Sequence, residues 1–69
     1  MSKIALAQMD RIIRDTTGLR VSETGKEALA EILEEIAVEI AQNAKELSTH
    51  AGRRTIRRDD IDLAAKNVL

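Results

Sequence analysis

The sequence predicts an all-α protein, and three features of its composition support this fold class. The 69 residues include no Pro and only three Gly, so little interrupts a long helix. The most frequent residues include Ala, Leu, Ile, Glu and Arg, which are typical of helical proteins rather than of sheets. The apolar content of 43% is enough for a folded protein, but without Phe, Trp or Tyr the core must be aliphatic.

Length and composition also exclude several classes of function. A chain of this length forms one small domain, spanning residues 1–69, and is too short for a large enclosed active site. Without Cys there is no disulfide, thiolate nucleophile or Cys-based zinc site, and without aromatic rings no nucleic-acid base can stack on the protein. No signal peptide or membrane-spanning run is recognisable, so we expect a cytoplasmic protein.

A short amphipathic helix is predicted first. The apolar residues Ile4, Met9, Ile12 and Ile13 recur at approximately helical spacing over residues 4–14. The helix should end at about residues 16–18, where two Thr precede a Gly.

A long central helix is predicted next, after a brief extended segment at residues 19–21. Ser22 or Thr24 can cap its start, and Thr24 with Glu27 forms a capping-box pattern. Only Gly25 interrupts residues 23–51, which would span roughly 43 Å as a helix. Its apolar stripe comprises Leu29, Ile32, Leu33, Ile36, Ile40, Ala44 and Leu47, widened by Ala28, Ala37, Ala41 and Ala51, with Val38 lying off the stripe.

A second loop and a short final helix complete the chain. Gly52 is expected to stop the long helix, and residues 53–56 to form a second extended loop. The last helix should start at about Arg57, carry Asp59 and Asp60 in its first turn, and bury Ile61, Ala64 and Val68.

The length of the central helix predicts a dimer. Two flanking helices of about 11 residues cannot cover it, so its apolar stripe would stay exposed in a monomer. We therefore expect two long helices to cross near their middles, clasped by the short helices of both chains. An antiparallel coiled-coil pair is the alternative, although the stripe supplies only about two and a half heptads.

Charge is strongly segmented, although the net charge is only −1. Residues 1–20 carry +2 and residues 52–58 carry +4, whereas residues 21–51 carry −5 and residues 59–69 carry −2. Binding of a phosphate-rich partner depends on the local field rather than on the net charge. The two positive segments are therefore the candidate surface for nucleic acid.

Four sequence segments carry a family resemblance: DRIIR at residues 10–14, LRVS at 19–22, LAEILEE at 29–35, and HAGRRTI at 50–56 followed by DDI at 59–61. In these segments the chain resembles the archaeal histones, minimal histone-fold proteins without tails, along almost its whole length. The resemblance implies a histone fold of short helix, loop, long helix, loop and short helix. It also implies a handshake homodimer, capable of forming tetramers or larger assemblies, that binds double-stranded DNA without strong sequence preference.

The resemblance implies roles for individual residues. Arg11 matches an arginine that enters the DNA minor groove, and Arg14 matches a neighbouring phosphate contact. The other implied DNA contacts are Arg20 in the first loop and Arg54, Thr55 and Arg57 in or beside the second loop. In a two-fold dimer the first loop of one chain would lie beside the second loop of the other, so positive charge would concentrate there.

Two further sets of residues have structural roles in the family. Arg53 resembles the partner of Asp60 in a clamp that joins the second loop to the last helix. Leu47, His50 and Asp60 match positions at which one dimer meets another. Exposed Val38 suggests a different tetramer, in which dimers meet through faces of the long helix.

Simpler interpretations of these residues stay open. Arg11 and Arg14 can pair with Asp10 and Asp15 on the surface, and His50 can be an ordinary residue at a helix end. With one His and no Cys, we expect no metal site, no cofactor and no catalytic residue.

The sequence therefore predicts an architectural chromatin protein that is associated with the chromosome. It would bend, wrap, bridge or compact double-stranded DNA. A heterodimer with a paralogous histone is a further possible assembly. The alternative is a histone-fold protein–protein interaction module with weak or no DNA binding, whose glutamate-rich face captures a partner.

Overall fold

The computed structural model describes the backbone of residues 3–69 and the side chains of residues 5–69. It contains the helices α1 (Lys3–Thr17), α2 (Glu23–His50) and α3 (Arg58–Val68), and the described residues form no strand. This short-long-short order confirms the predicted all-α fold, which is that of the histones. The predicted core position Ile4 lies outside the described side chains. No helix in the described part of the chain is long and apolar enough to cross a membrane.

The chain comprises two compact units, and α2 contributes its N-terminal part to the first and the rest to the second. The first unit ends at Glu34 and the second begins at Glu35. In the first unit α1 ends at Gly18, where a φ of 73° lets the amide of Gly18 donate to the carbonyl of Arg14 at 2.8 Å. Its buried apolar residues are Met9 on α1 and Ala30 on α2.

The start of α2 differs from one prediction. Ser22 is the cap, because its Oγ accepts a hydrogen bond of 3.0 Å from the amide of Gly25. The predicted Thr24–Glu27 capping box is wrong, since Thr24 already lies within the helix. Gly25 has a packing reason, because a Cβ there would lie 2.9 Å from Val21 Cγ2 and 3.1 Å from Ser22 Oγ.

The second unit packs the end of α2 against α3. Ala44 and Ala64 are fully buried, and Ser48 and Asp60 are buried beside them. Asn67 of α3 donates a hydrogen bond of 3.0 Å to Asn43 Oδ1 of α2. Small side chains at positions 44 and 64 therefore permit close contact between the two helices.

Several predicted core positions are exposed in the single chain. Ile61 was predicted to be buried but is 40% exposed, and Ile32 is 54% exposed. The four alanines predicted to widen the stripe are also exposed, whereas Ala30, which was not predicted, is the buried one. Exposure of Ile32 and Leu33 agrees with the prediction that one chain cannot cover the stripe of α2.

Candidate nucleic-acid interface

The loop between α2 and α3, residues 51–57, begins at a glycine stop. Gly52 has a φ of 73°, and its amide donates to the carbonyl of Thr49 at 3.0 Å. The next amide, of Arg53, donates to the carbonyl of Ser48 at 3.0 Å. These two bonds form a Schellman motif, which turns the chain sharply away from the axis of α2.

Ser48 holds the same loop from the inside. Its side chain is 3% exposed, and its hydroxyl lies 3.1 Å from the carbonyl oxygens of both Arg53 and Thr55. The single hydroxyl proton is therefore shared between two carbonyl acceptors. The loop curls around this hydroxyl, so the prediction that residues 53–56 are extended is wrong.

The predicted clamp residues form a bidentate ion pair. Arg53 Nη1 lies 2.7 Å from Asp60 Oδ2, and Arg53 Nη2 lies 2.8 Å from Asp60 Oδ1. Oδ2 also accepts a hydrogen bond of 2.9 Å from the backbone amide of Arg57, which caps α3. One buried carboxylate thus fixes both the start of the loop and the start of the following helix.

This pairing changes the acid strength of both groups. Hydrogen bonds from Arg53 and from the Arg57 amide lower the pKa of Asp60 from 3.8 to about 2. The same contact with Asp60 raises the pKa of Arg53. Asp60 therefore stays ionised in the folded protein at any pH above about 2.

The other predicted contacts in this region remain available to a partner. Arg54, Thr55 and Arg57 are all exposed, and neither arginine forms an ion pair within the described part of the chain. Arg58, which was not predicted as a DNA contact, lies 3.6 Å from Asp62 in an exposed pair. The loop is consequently rigid in its backbone and open in its cationic side chains.

The three predicted contacts of the first unit are also exposed. Arg14 Nε lies 3.3 Å from Asp10 Oδ2, as the simpler interpretation predicted. Asp10 is in turn 4.0 Å from Lys26 Nζ, and Lys26 donates a hydrogen bond of 2.8 Å to Glu23, which raises the pKa of Lys26. Arg11 and Arg20 take part in no ion pair between residues 5 and 69, so their charges face no internal carboxylate.

The structure brings Arg53, Arg54, Thr55 and Arg57 together in one loop. Arg11, Arg14 and Arg20 belong to the first compact unit, on α1 and the loop that follows it. His50 ends α2 and is exposed, whereas Leu47 is partly buried. Among the described residues no group of three His, Cys, Asp or Glu side chains could hold a metal ion.

Ser48 organises the second loop and was not predicted from the sequence. The available signal was weak: a serine in the last turns of an apolar helix, four residues before Gly52. Its burial on the loop side appears only in three dimensions. Once Ser48 and Asp60 hold the backbone, exposed guanidinium groups can bind phosphate oxygens without first ordering the loop.

Comparison with known proteins gives three consistent matches. Residues 2–65 match the family described as "Histone-like transcription factor (CBF/NF-Y) and archaeal histone". The chain is 46% identical over 66 residues to a subunit of the archaeal histone HAN1 from Thermococcus zilligii, and the match covers 96% of this chain and 98% of that protein. It is 38% identical over 66 residues, with the same coverage, to probable archaeal histone 3 of Methanocaldococcus jannaschii.

Proposed function

Because the chain belongs to the archaeal histone family, we propose that it bends, wraps, bridges or compacts double-stranded DNA as a histone-fold dimer or larger assembly. At the level of the family it is a DNA-binding chromatin protein and not an enzyme. Residues 1–69 would act as a single histone-fold domain, located in the cytoplasm and associated with the chromosome.

One observation carries the proposal: the second loop is rigid in its backbone and open in its charges. The Arg53–Asp60 pair and the Ser48 hydroxyl hold the backbone, while Arg54, Thr55 and Arg57 project without internal partners for the two arginines. Such an arrangement favours the DNA backbone over the bases, because phosphate contacts carry no sequence information. Arg11, Arg14 and Arg20 would supply the remaining contacts.

Exposed apolar residues support self-association. Ile12, Leu19, Ile32 and Leu33 are between 38% and 68% exposed in the single chain. A folded protein of this size needs a second chain to cover such a surface. The homodimer would expose Leu47, His50 and Asp60 for contact with another dimer, giving a tetramer or larger assembly.

A heterodimer with a paralogous histone is a second form of the same assembly. The relative from Thermococcus zilligii is named as a subunit, so that protein is part of a complex with more than one kind of chain or copy. The glutamates of α2 favour a partner with basic residues on its own long helix.

The experiment that tests the function is binding of a duplex of about 60 base pairs across a salt series. If each dimer engages about 8 phosphates, log K falls against log salt with a slope of about −7. Arg54→Ala removes two of these contacts per dimer, so we expect its slope to be about −5. Arg58→Ala is the matched control, since it removes the same charge from an arginine already paired with Asp62.

A second candidate function is protein capture through the acidic face of α2. Glu31, Glu34 and Glu35 are exposed, and within the described side chains none of them forms an ion pair. Little DNA binding by the wild-type protein, even at low salt, would overturn the DNA-packaging proposal and favour this one.

A further inference from the structure

A groove of about 400 Å³ lies between the last turns of α2 and the second loop. Its lining comprises Lys45, Ser48, Thr49, Arg53, Arg54 and Ile56. Lys45 and Thr49 are one turn apart on α2, so they form one wall. Arg53, Arg54 and Ile56 form the opposite wall, and all six residues belong to the second compact unit.

The groove carries positive charge that is not neutralised internally. Arg53 is committed to Asp60, but neither Lys45 nor Arg54 forms an ion pair among the side chains that the structure describes. No carboxylate lines the groove. Two cations that share a concave surface without a counter-charge favour an anionic ligand.

The uncharged lining narrows the kind of anion. Ser48 already donates its hydroxyl proton to loop carbonyls, whereas Thr49 is exposed and has a hydroxyl to donate. Ile56 is 43% exposed and offers an apolar surface beside the charges. Alternating charge, hydroxyl and apolar contact fits a sugar–phosphate backbone better than it fits a free anion.

We propose that Lys45 binds a DNA phosphate, so that the phosphate-binding site extends from the second loop onto the last two turns of α2. This inference rests on the proposed DNA binding and adds to it a residue on a helix. The backbone of Lys45 is fixed by the continuous helix α2, and Arg54 on the opposite wall would bind the same strand. Lys45 would contribute a point charge, independent of base sequence.

The test compares Lys45→Gln with the matched control Lys66→Gln, an exposed lysine on α3, and with Arg54→Ala as a reference. Each variant is titrated with two unrelated duplexes across a salt series. Loss of one phosphate contact per chain reduces the magnitude of the salt slope by about 2 per dimer and weakens binding on the order of tenfold at about 0.1 M salt. We expect this change for Lys45→Gln on both duplexes, little change for Lys66→Gln, and retention of the slope in Lys45→Arg.

Three results would overturn the inference, and they are distinguishable. If Lys45→Gln keeps the wild-type slope while Arg54→Ala loses part of it, DNA binding stands and the role of Lys45 fails. If the wild-type protein does not bind DNA at low salt, the proposed function fails as well. If Lys45→Gln leaves the slope unchanged but weakens dimerisation, a second copy of the chain, and not DNA, occupies the groove.

Discussion

The carboxylate of Asp60 binds the guanidinium of Arg53 through both of its oxygens, across seven residues of sequence. The two contacts are 2.7 and 2.8 Å long, and the carboxylate is 5% exposed. Because Oδ2 also accepts the amide of Arg57, the pair connects the end of α2 to the start of α3 through one side chain. Removing either charge would leave the other buried without a partner, which is more costly than the loss of an exposed pair.

The clamp predicts a specific dependence of stability on pH. The folded pKa of Asp60 is lowered to about 2 from an ordinary value of 3.8, so its stabilising contribution is complete above about pH 4 and is lost as the pH falls towards 2. We expect Asp60→Asn to be less stable than the wild type at neutral pH, with a difference that shrinks through this interval. Chemical unfolding at a fixed protein concentration and several pH values measures it.

Asp62→Asn is the control for this experiment. Asp62 pairs with Arg58 on the surface, where both side chains are more than half exposed, so its loss should change the free energy of unfolding by less than about 1 kcal/mol. A constant difference between Asp60→Asn and the wild type from pH 7 down to pH 2 would contradict the role of the clamp.

Ser48→Ala is expected to destabilise the protein although it creates almost no cavity. The substitution removes the donor shared by the carbonyls of Arg53 and Thr55, and a buried group left unpaired costs about 1–3 kcal/mol. Thr55 keeps a second donor, Arg53 Nη1 at 3.2 Å, so the carbonyl of Arg53 is the one left unsatisfied. Denaturant unfolding measures the loss, and the neighbouring exposed residue provides the control Thr49→Ala, which should stay within about 0.5 kcal/mol.

Gly52→Ala should destabilise the protein through the backbone alone. No atom lies within 4 Å of where a Cβ would be, but φ is 73°. A non-glycine residue in this left-handed conformation costs roughly 1–2 kcal/mol. Thermal unfolding should show this loss for Gly52→Ala and a smaller one for Gly52→Asn, since Asn tolerates the conformation better. Equal losses for the two variants would indicate a steric cause instead.

Local patterns in the sequence predict most of the fold. Helical periodicity, the two glycine stops and the early aspartates of α3 place each helix within one or two residues of its observed bounds. The choice of cap at Ser22 depends on where Val21 packs over Gly25, which no periodicity reports. The burial of Ala30 instead of Ala28 likewise depends on which face of α2 meets α1.

The candidate site is less accessible to sequence reasoning than the fold. The charge of the second loop is visible as four arginines within residues 52–58, but their division of labour is not. Arg53 and Arg54 are adjacent and chemically identical, yet one is bound to Asp60 and the other is exposed. That difference comes from the Schellman turn and the Ser48 hydrogen bonds, which together set the direction of each side chain.

The last prediction concerns how dimers meet, and it compares His50→Glu with Val38→Glu. His50 is exposed at the end of α2, and Val38 is 51% exposed further along the same helix. If dimers meet at Leu47, His50 and Asp60, a glutamate at position 50 is brought close to its own symmetry copy and to Asp60. Like charges at a two-fold interface repel each other, so we expect His50→Glu to reduce tetramers to dimers.

Sedimentation equilibrium of both variants at one protein concentration measures the mass of the assembly. Val38→Glu should then keep the wild-type mass, since it lies outside that surface. The reverse result, with dimers for Val38→Glu and tetramers for His50→Glu, would show that dimers meet through the long-helix faces instead. Because both substitutions add a glutamate to an exposed position of α2, a change in general solubility or net charge would affect the two variants alike and would not produce either pattern.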